Sequence, residues 1–267
     1  MKRLYIIPNA TQSEQSASLA EHWNAGFEYN DFYAPCVLDN EQEIERLIAL
    51  YCSLDRDRSD DVLHGAFLDV TVHSTDPMIR AVSDHRIRQS MEIARRLGIR
   101  AVVFHTNYIP NFKSSYYTEG FVRANAAYWR AMAGEYPELL ILIENMFDAE
   151  PDLLCALAQQ LYDVQNFGVC FDFAHANVFG DGSAEWMRCL APHILHVHLN
   201  DNDKKTDLHG RIGTMALDFS CFDQEIRKAP HAPGVLVEMR DLQDQHASLT
   251  YMKEHGIYPF DKGEGHA

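Results

Sequence analysis

The chain has 267 residues, 46% of them hydrophobic, with 23 Lys+Arg against 39 Asp+Glu and a formal net charge of −16. That length and apolar content can bury a core without cross-links, which excludes a disulfide-stapled scaffold and a disordered tail. The acidic balance argues against a broad phosphate-binding surface, and no apolar run is long enough to span a bilayer.

Short apolar runs rich in β-branched residues alternate with segments of helical periodicity. Leu4 to Ile7 reads as a first strand and residues 11 to 24 as a helix. Phe27 to Tyr29 is a weak second strand, and Glu41 to Leu54 is a helix with apolar positions at Ile44, Leu47, Ile48 and Tyr51. Val62 to His64 is the third strand. Pro77 opens a long helix through Leu97, and Gly98 stops it, as proline at the start and glycine past the end should. Ala101 to Thr106 is a buried strand, Phe121 to Ala133 a helix, and Leu139 to Asn145 another buried strand. Pro151 starts a helix through Leu161, Gly168 to Phe173 is the sixth strand, and residues 184 to 190 form a short helix. Ile194 to Asn200 is the seventh strand. A helix near Phe222 to Lys228 leads to the eighth, Val235 to Met239, and a last helix covers about residues 243 to 254.

Eight strand–helix repeats without a Gly/Ser linker predict an α/β fold, one (β/α)8 barrel over residues 1–267. An open doubly wound sheet would want a glycine-rich turn after an early strand, and no G-x-G-x-x-G occurs. The six cysteines, Cys36, Cys52, Cys155, Cys170, Cys189 and Cys221, form no C-x-x-C pair and read as scattered reduced thiols. The N-terminal apolar run is too short for a signal peptide, so a cytoplasmic protein is expected.

In such a barrel catalytic groups cluster at the C-terminal ends of the strands. Here those ends carry His64, His105, Glu144, Asp172 with His175, His198, and Glu238, while Asp207 and His209 lie in the loop after the seventh strand. One histidine at a strand end is ordinarily hydrogen-bonded structure. Carboxylates at the ends of apolar strands, such as Glu144, Asp172 and Glu238, are costly to bury unpaired. A divalent metal ion is their simplest common partner, and the donor types suit Zn²⁺ or Mn²⁺. His196 shares the face of His198 and reads as a deeper, hydrogen-bonded core group. His22, His73, His85, His193, His231, His246, His255 and His266 fall on helices, loops or the tail.

The segments His64-Gly65, Phe104-His105, Ile143-Glu144-Asn145, Phe171-Asp172-Phe173-Ala174-His175, His198-Leu199-Asn200-Asp201, Asp207-Leu208-His209 and Val237-Glu238 carry a resemblance. The chain resembles the xylose isomerase-like TIM barrels, which include sugar and sugar-phosphate isomerases and epimerases together with endonuclease IV. The epimerase-like branch implies one divalent ion held by Glu144, Asp172, His198 and Glu238. Glu144 and Glu238 would then move a proton through a metal-stabilised ene-diolate, with His175 orienting the substrate. The endonuclease IV branch implies three zinc ions on His64, His105, Glu144, Asp172, His175, His198, Asp207, His209 and Glu238, suited to phosphate-ester hydrolysis.

The first strand lacks the pattern of the DNA-repair members, and the charge is wrong for a DNA groove. The expectation is therefore a metal-dependent isomerase or epimerase of a sugar or sugar phosphate, using one to three ions. A zinc phosphoesterase is the alternative, and nucleic acid is the less favoured partner. Lys204 and Arg211, near the seventh-strand loop, read either as solvated residues or as a clamp on a substrate phosphate, and Arg240 as a substrate-positioning group. The aromatic loop Asn107 to Thr118 reads either as a lid or as a contact in a homo-oligomer.

Overall fold

Eight parallel strands pair in chain order and close on themselves in the computed structural model, which describes residues 2–112, 114–180 and 182–261. They are β1 Leu4–Ile6, β2 Gly26–Tyr29, β3 Val62–His64, β4 Ala101–His105, β5 Leu140–Glu144, β6 Phe167–Asp172, β7 Ile194–Leu199 and β8 Gly234–Val237. Pairing of Leu4 with Val235 closes β1 on β8. The helices outside are α1 Ser13–Trp23, α2 Pro35–Leu38, α3 Glu41–Ser53, α4 Pro77–Leu97, α5 Ser115–Glu135, α6 Asp152–Gln160, α7 Phe173–Val178, α8 Ala184–Leu190, α9 Phe219–Ile226 and α10 Leu242–Glu254. The expected (β/α)8 barrel is what forms. His266 lies outside the described residues, as does Lys113 of the aromatic loop.

Side chains alternate along each strand, so the strands serve two cores. Phe27, Leu63, Val102, Ile141, Phe171 and Val197 pack outward against the helices. Tyr5, Val62, Val103, Leu142, Cys170 and Leu236 fill the barrel interior. Tyr5 plugs the lower end. A Cβ on Gly26 would meet its ring at 2.7 Å and one on Gly234 at 2.5 Å, so both flanking strands need glycine there.

Local chemistry sets the element ends. Asp76 accepts from the Met78 amide at the start of α4, and Gly98 ends that helix with φ of 69°. Helix α5 begins at Ser115, ahead of the expected Phe121; its first turns expose residues such as Tyr116, so no apolar stripe marked them in the sequence. Phe173 is not strand. The Asp172 side chain accepts from the His175 amide, ends β6 and starts α7, a helix the sequence pattern did not reveal. In the same way Asp218 caps α9 at Phe219, ahead of the expected start.

The reading of all six cysteines as reduced is corrected for one pair. Cys155 and Cys189 form a disulfide with Cα atoms 6.4 Å apart. They are 34 residues apart in sequence, and only the packing of α6 beside α8 brings them together. Among the described residues no helix is long and apolar enough to cross a membrane.

Candidate functional site

Strand register brings the polar strand ends to one level. His105 pairs with Glu144 across β4 and β5, and Asp172 pairs with His198 across β6 and β7. Glu238 follows β8, and its amide bonds to the Leu199 carbonyl, which holds it beside the end of β7.

Every strand-end candidate falls in one continuous cluster. Glu144 is at its centre. Its Oε2 is 3.3 Å from His105 Nε2 and 3.8 Å from His64 Nε2. Its Oε1 is 3.3 Å from His198 Nδ1 and 3.4 Å from His175 Nδ1. His198 Nδ1 is also 3.8 Å from Glu238 Oε1. His175 contacts Asp172 Oδ2 through Nδ1 at 3.5 Å and Asp207 Oδ2 through Nε2 at 3.5 Å. His209 closes the outer side, with Nε2 3.1 Å from Asp207 Oδ2 and Nδ1 3.5 Å from Glu238 Oε2. All but Asp207 and His209 are buried.

Residues to which the sequence reading gave no role hold this cluster. The Asn145 amide side chain bonds both the N–H and the carbonyl of Asp172, at 2.9 Å each, and so ties the ends of β5 and β6 together. The Asn145 carbonyl also accepts from His175 Nδ1 at 2.9 Å. Asp201 and Gly210 exchange backbone hydrogen bonds, closing the loop that carries Asp207 and His209. The Asp201 carboxylate accepts from the amides of Gly213, Thr214, Met215 and Leu217. Within this loop His209 has φ of 48°, a left-handed conformation unusual for a side-chain-bearing residue and one that occurs preferentially at functional sites. Glu28 on β2 is the other unforeseen group. It lies wholly buried beneath the cluster against His196, at 2.8 Å, and His198, at 3.0 Å. A lone acid inside the strand Gly-Phe-Glu-Tyr was its only signal. His196 is the deeper core histidine the alternation implied.

The electrostatics are those of a strained mixture of charges. Burial pushes Glu144 up, but His198 and His105 outweigh it and hold the carboxyl well below its usual range. Burial raises Asp172 to about 8, opposed by His175 and reinforced by Glu238 and Glu144. Burial works against charge on His175 and His198, yet the surrounding acids keep both well above the ordinary imidazole value. His209 reaches about 10 against its burial, through Glu238 and Asp207.

Several of these atoms are both buried and without a hydrogen-bond partner: Glu144 Oε2, Asp172 Oδ2, His198 Nδ1 and Asp207 Oδ1. Such orphans are rare in folded proteins and call for a bound ion, ligand or water. Ligand-type atoms of Asp172, His198 and Glu238 lie within 4.8 Å of one another, as do those of His64, His105 and Glu144, and those of Glu144, Asp172 and His175. The donor set fits a divalent cation of the zinc or manganese type.

Above the cluster opens a cavity of 380 Å³, walled by Tyr33, Phe67, Met146 and Met239 and reaching His64, His105, His175, His209 and Glu238. Arg240 lines it too, and donates to Tyr33 Oη at 2.9 Å. The other two cationic candidates are elsewhere. Arg211 is exposed and paired with Asp244, its Nε 3.0 Å from Oδ1, because the loop turns it toward α10. Lys204 lines a separate cleft with Phe173, Trp186 and Asp218. The remaining described histidines stay outside the cluster. His246, for instance, accepts from Trp23 Nε1 at 3.1 Å.

A closed β/α barrel with a buried His and carboxylate cluster at its C-terminal rim defines the class. Within that class the xylose isomerase-like TIM barrel family matches residues 26–255, and the chain belongs to it. An uncharacterised protein of Methanocaldococcus jannaschii is 26% identical over 267 residues, covering 94% of this chain and 87% of its own. A probable endonuclease 4 of Halorhodospira halophila is 26% identical over 174 residues, 56% of this chain and 57% of its own. The crystal structure of a D-tagatose 3-epimerase-like protein superposes with a TM-score of 0.72 at 24% identity, covering 94% of this chain and 96% of its own, a likeness of fold.

Proposed function

We propose that this chain is a divalent-metal-dependent isomerase or epimerase of a sugar or sugar phosphate. The carrying observation is the small cavity set directly over a buried cluster in which Glu144 and Glu238 share His198. A space of 380 Å³ suits a molecule of monosaccharide size, and a polymer needs an open groove. Glu144, Asp172, His198 and Glu238 would hold the ion. When bound, the ion supplies the positive charge that polarises a substrate carbonyl.

The chain's own groups supply the proton transfer. Glu144, held ionised by His198 and His105, accepts a proton from the carbon beside that carbonyl. Glu238 lines the cavity and returns a proton to the neighbouring carbon or the opposite face. His175, fixed through Nδ1 by the Asn145 carbonyl, lines the cavity and orients the substrate. Arg240 sits at the exposed mouth and suits a substrate hydroxyl or phosphate.

The test is solvent exchange. Metal-loaded protein, offered a panel of ketoses and ketose phosphates in D2O, should place deuterium on the carbon beside the carbonyl. Glu144→Gln and Glu238→Gln should each reduce that exchange by at least about 100-fold. Exchange that survives both substitutions contradicts the assignment.

A second reading keeps its place because His64, His105, Asp207 and His209 also join the cluster, more donors than one ion needs. It is a trinuclear zinc phosphoesterase. Three bound ions and cleavage of phosphate esters would favour it over the isomerase.

A further inference from the structure

Beneath the cluster, the barrel interior holds a carboxylate that contacts none of the cavity. Glu28, His196 and His198 are each completely buried. Glu28 Oε2 is 2.8 Å from His196 Nε2, and Oε1 is 3.0 Å from His198 Nε2. Glu28 Oε1 and His198 Nε2 are both buried and have no hydrogen-bond partner, and at 3.0 Å each is the nearest complement the other has. On the far side of the same imidazole, Nδ1 faces Glu144 and Glu238. A buried carboxylate cannot stay ionised without donors around it, and here the two ring nitrogens supply them.

We infer that Glu28 is the positioning residue of His198: it takes the Nε2–H, so that the Nδ1 lone pair is presented to the rim. An imidazole that donates from one nitrogen to a carboxylate has its tautomer and ring orientation fixed, and its other nitrogen becomes a stronger donor to a cation. His196 completes the arrangement from below. It holds the second carboxylate oxygen, so Glu28 cannot rotate away from His198. The Tyr5 and His196 rings meet edge to face, with centroids 4.9 Å apart, which locks that side in turn. Burial of a charge in the barrel is thereby tied to the aim of one side chain in the site. The inference rests on the proposed metal site but not on which reaction it serves.

The experiment reads the His198 ring by ¹H–¹⁵N NMR and zinc affinity by chelator competition, in the wild-type chain and Glu28→Gln. The wild type should show a slowly exchanging His198 Nε2–H proton. Glu28→Gln keeps only a neutral, weaker acceptor, so it should shift that resonance, speed its exchange and bind zinc about 10- to 100-fold more weakly while keeping the far-ultraviolet spectrum of the wild type. An unchanged resonance, or unchanged zinc affinity, overturns the assignment. If the variant does not fold, the wild-type spectrum decides by itself, because absence of the protected Nε2–H overturns the inference. If the wild type takes up no zinc, the metal reading of the rim fails, while the Nε2–H resonance still decides the role of Glu28.

Discussion

Glu144 carries four imidazole contacts on two oxygens, with His64 and His105 on Oε2 and His175 and His198 on Oε1. A carboxylate can accept about four hydrogen bonds, yet none of these contacts gives Oε2 one. The acids lift the histidines in turn. His175 and His198 are held well above the usual imidazole value and His209 near 10, which favours their protonated forms while no cation is bound. A cation needs the neutral imidazole at His198, so binding must expel the second proton of that ring. The sign follows: protons compete with the metal for a histidine held above its usual value, so zinc affinity climbs as pH rises. Calorimetry in buffers of different ionisation enthalpy should show proton release at pH 7. Affinity that is flat with pH, with no buffer-dependent heat, would contradict these protonation states.

At the level of elements, strand ends and loops divide the work. The ends of β3 to β7 present His64, His105, Glu144, Asp172 and His198 at one level, and Glu238 follows β8. This was readable in the sequence because an acid that closes an apolar run is costly to bury without a partner. Loop positions were less legible. Arg211 and Lys204 are near the site in sequence, but the loop's path turns one to Asp244 and the other to a separate cleft. Helix α7 was hidden because Phe-Asp-Phe continues the apolar character of β6, and only the Asp172 cap stops the strand. Glu28 was hidden because its strand is short and its partners lie 168 and 170 positions further along the chain. The loop with Asp207 and His209 depends on Asp201, whose carboxylate gathers the amides of residues 213 to 215 and 217. Asp201→Ala should therefore cost about 2–4 kcal/mol in chemical denaturation and weaken the outer half of the site. A variant as stable as the parent would show that the loop is held by other means.

For the whole molecule, closure of the barrel fixes the site. The alternation of short strands and helices announced the fold, and the structure adds the fit at the lower end. Tyr5 fills that end only because β2 and β8 carry glycines beside it. Gly234→Ala should push a methyl group into a sealed ring contact and destabilise the chain by about 1–3 kcal/mol, read as a lowered denaturation midpoint. No change would mean that Tyr5 moves aside freely. With a net charge of −16, the proposed function needs a cation at the rim for an anionic small molecule to meet positive charge there. The central claim is a single ion serving proton transfer between two glutamates. Elemental analysis of the purified chain, saturated with zinc or manganese and freed of excess, tests it most directly. The expected result is about one divalent ion per chain, lost in a variant lacking Glu144 and His198. No bound ion, or a stable content near three, would contradict it.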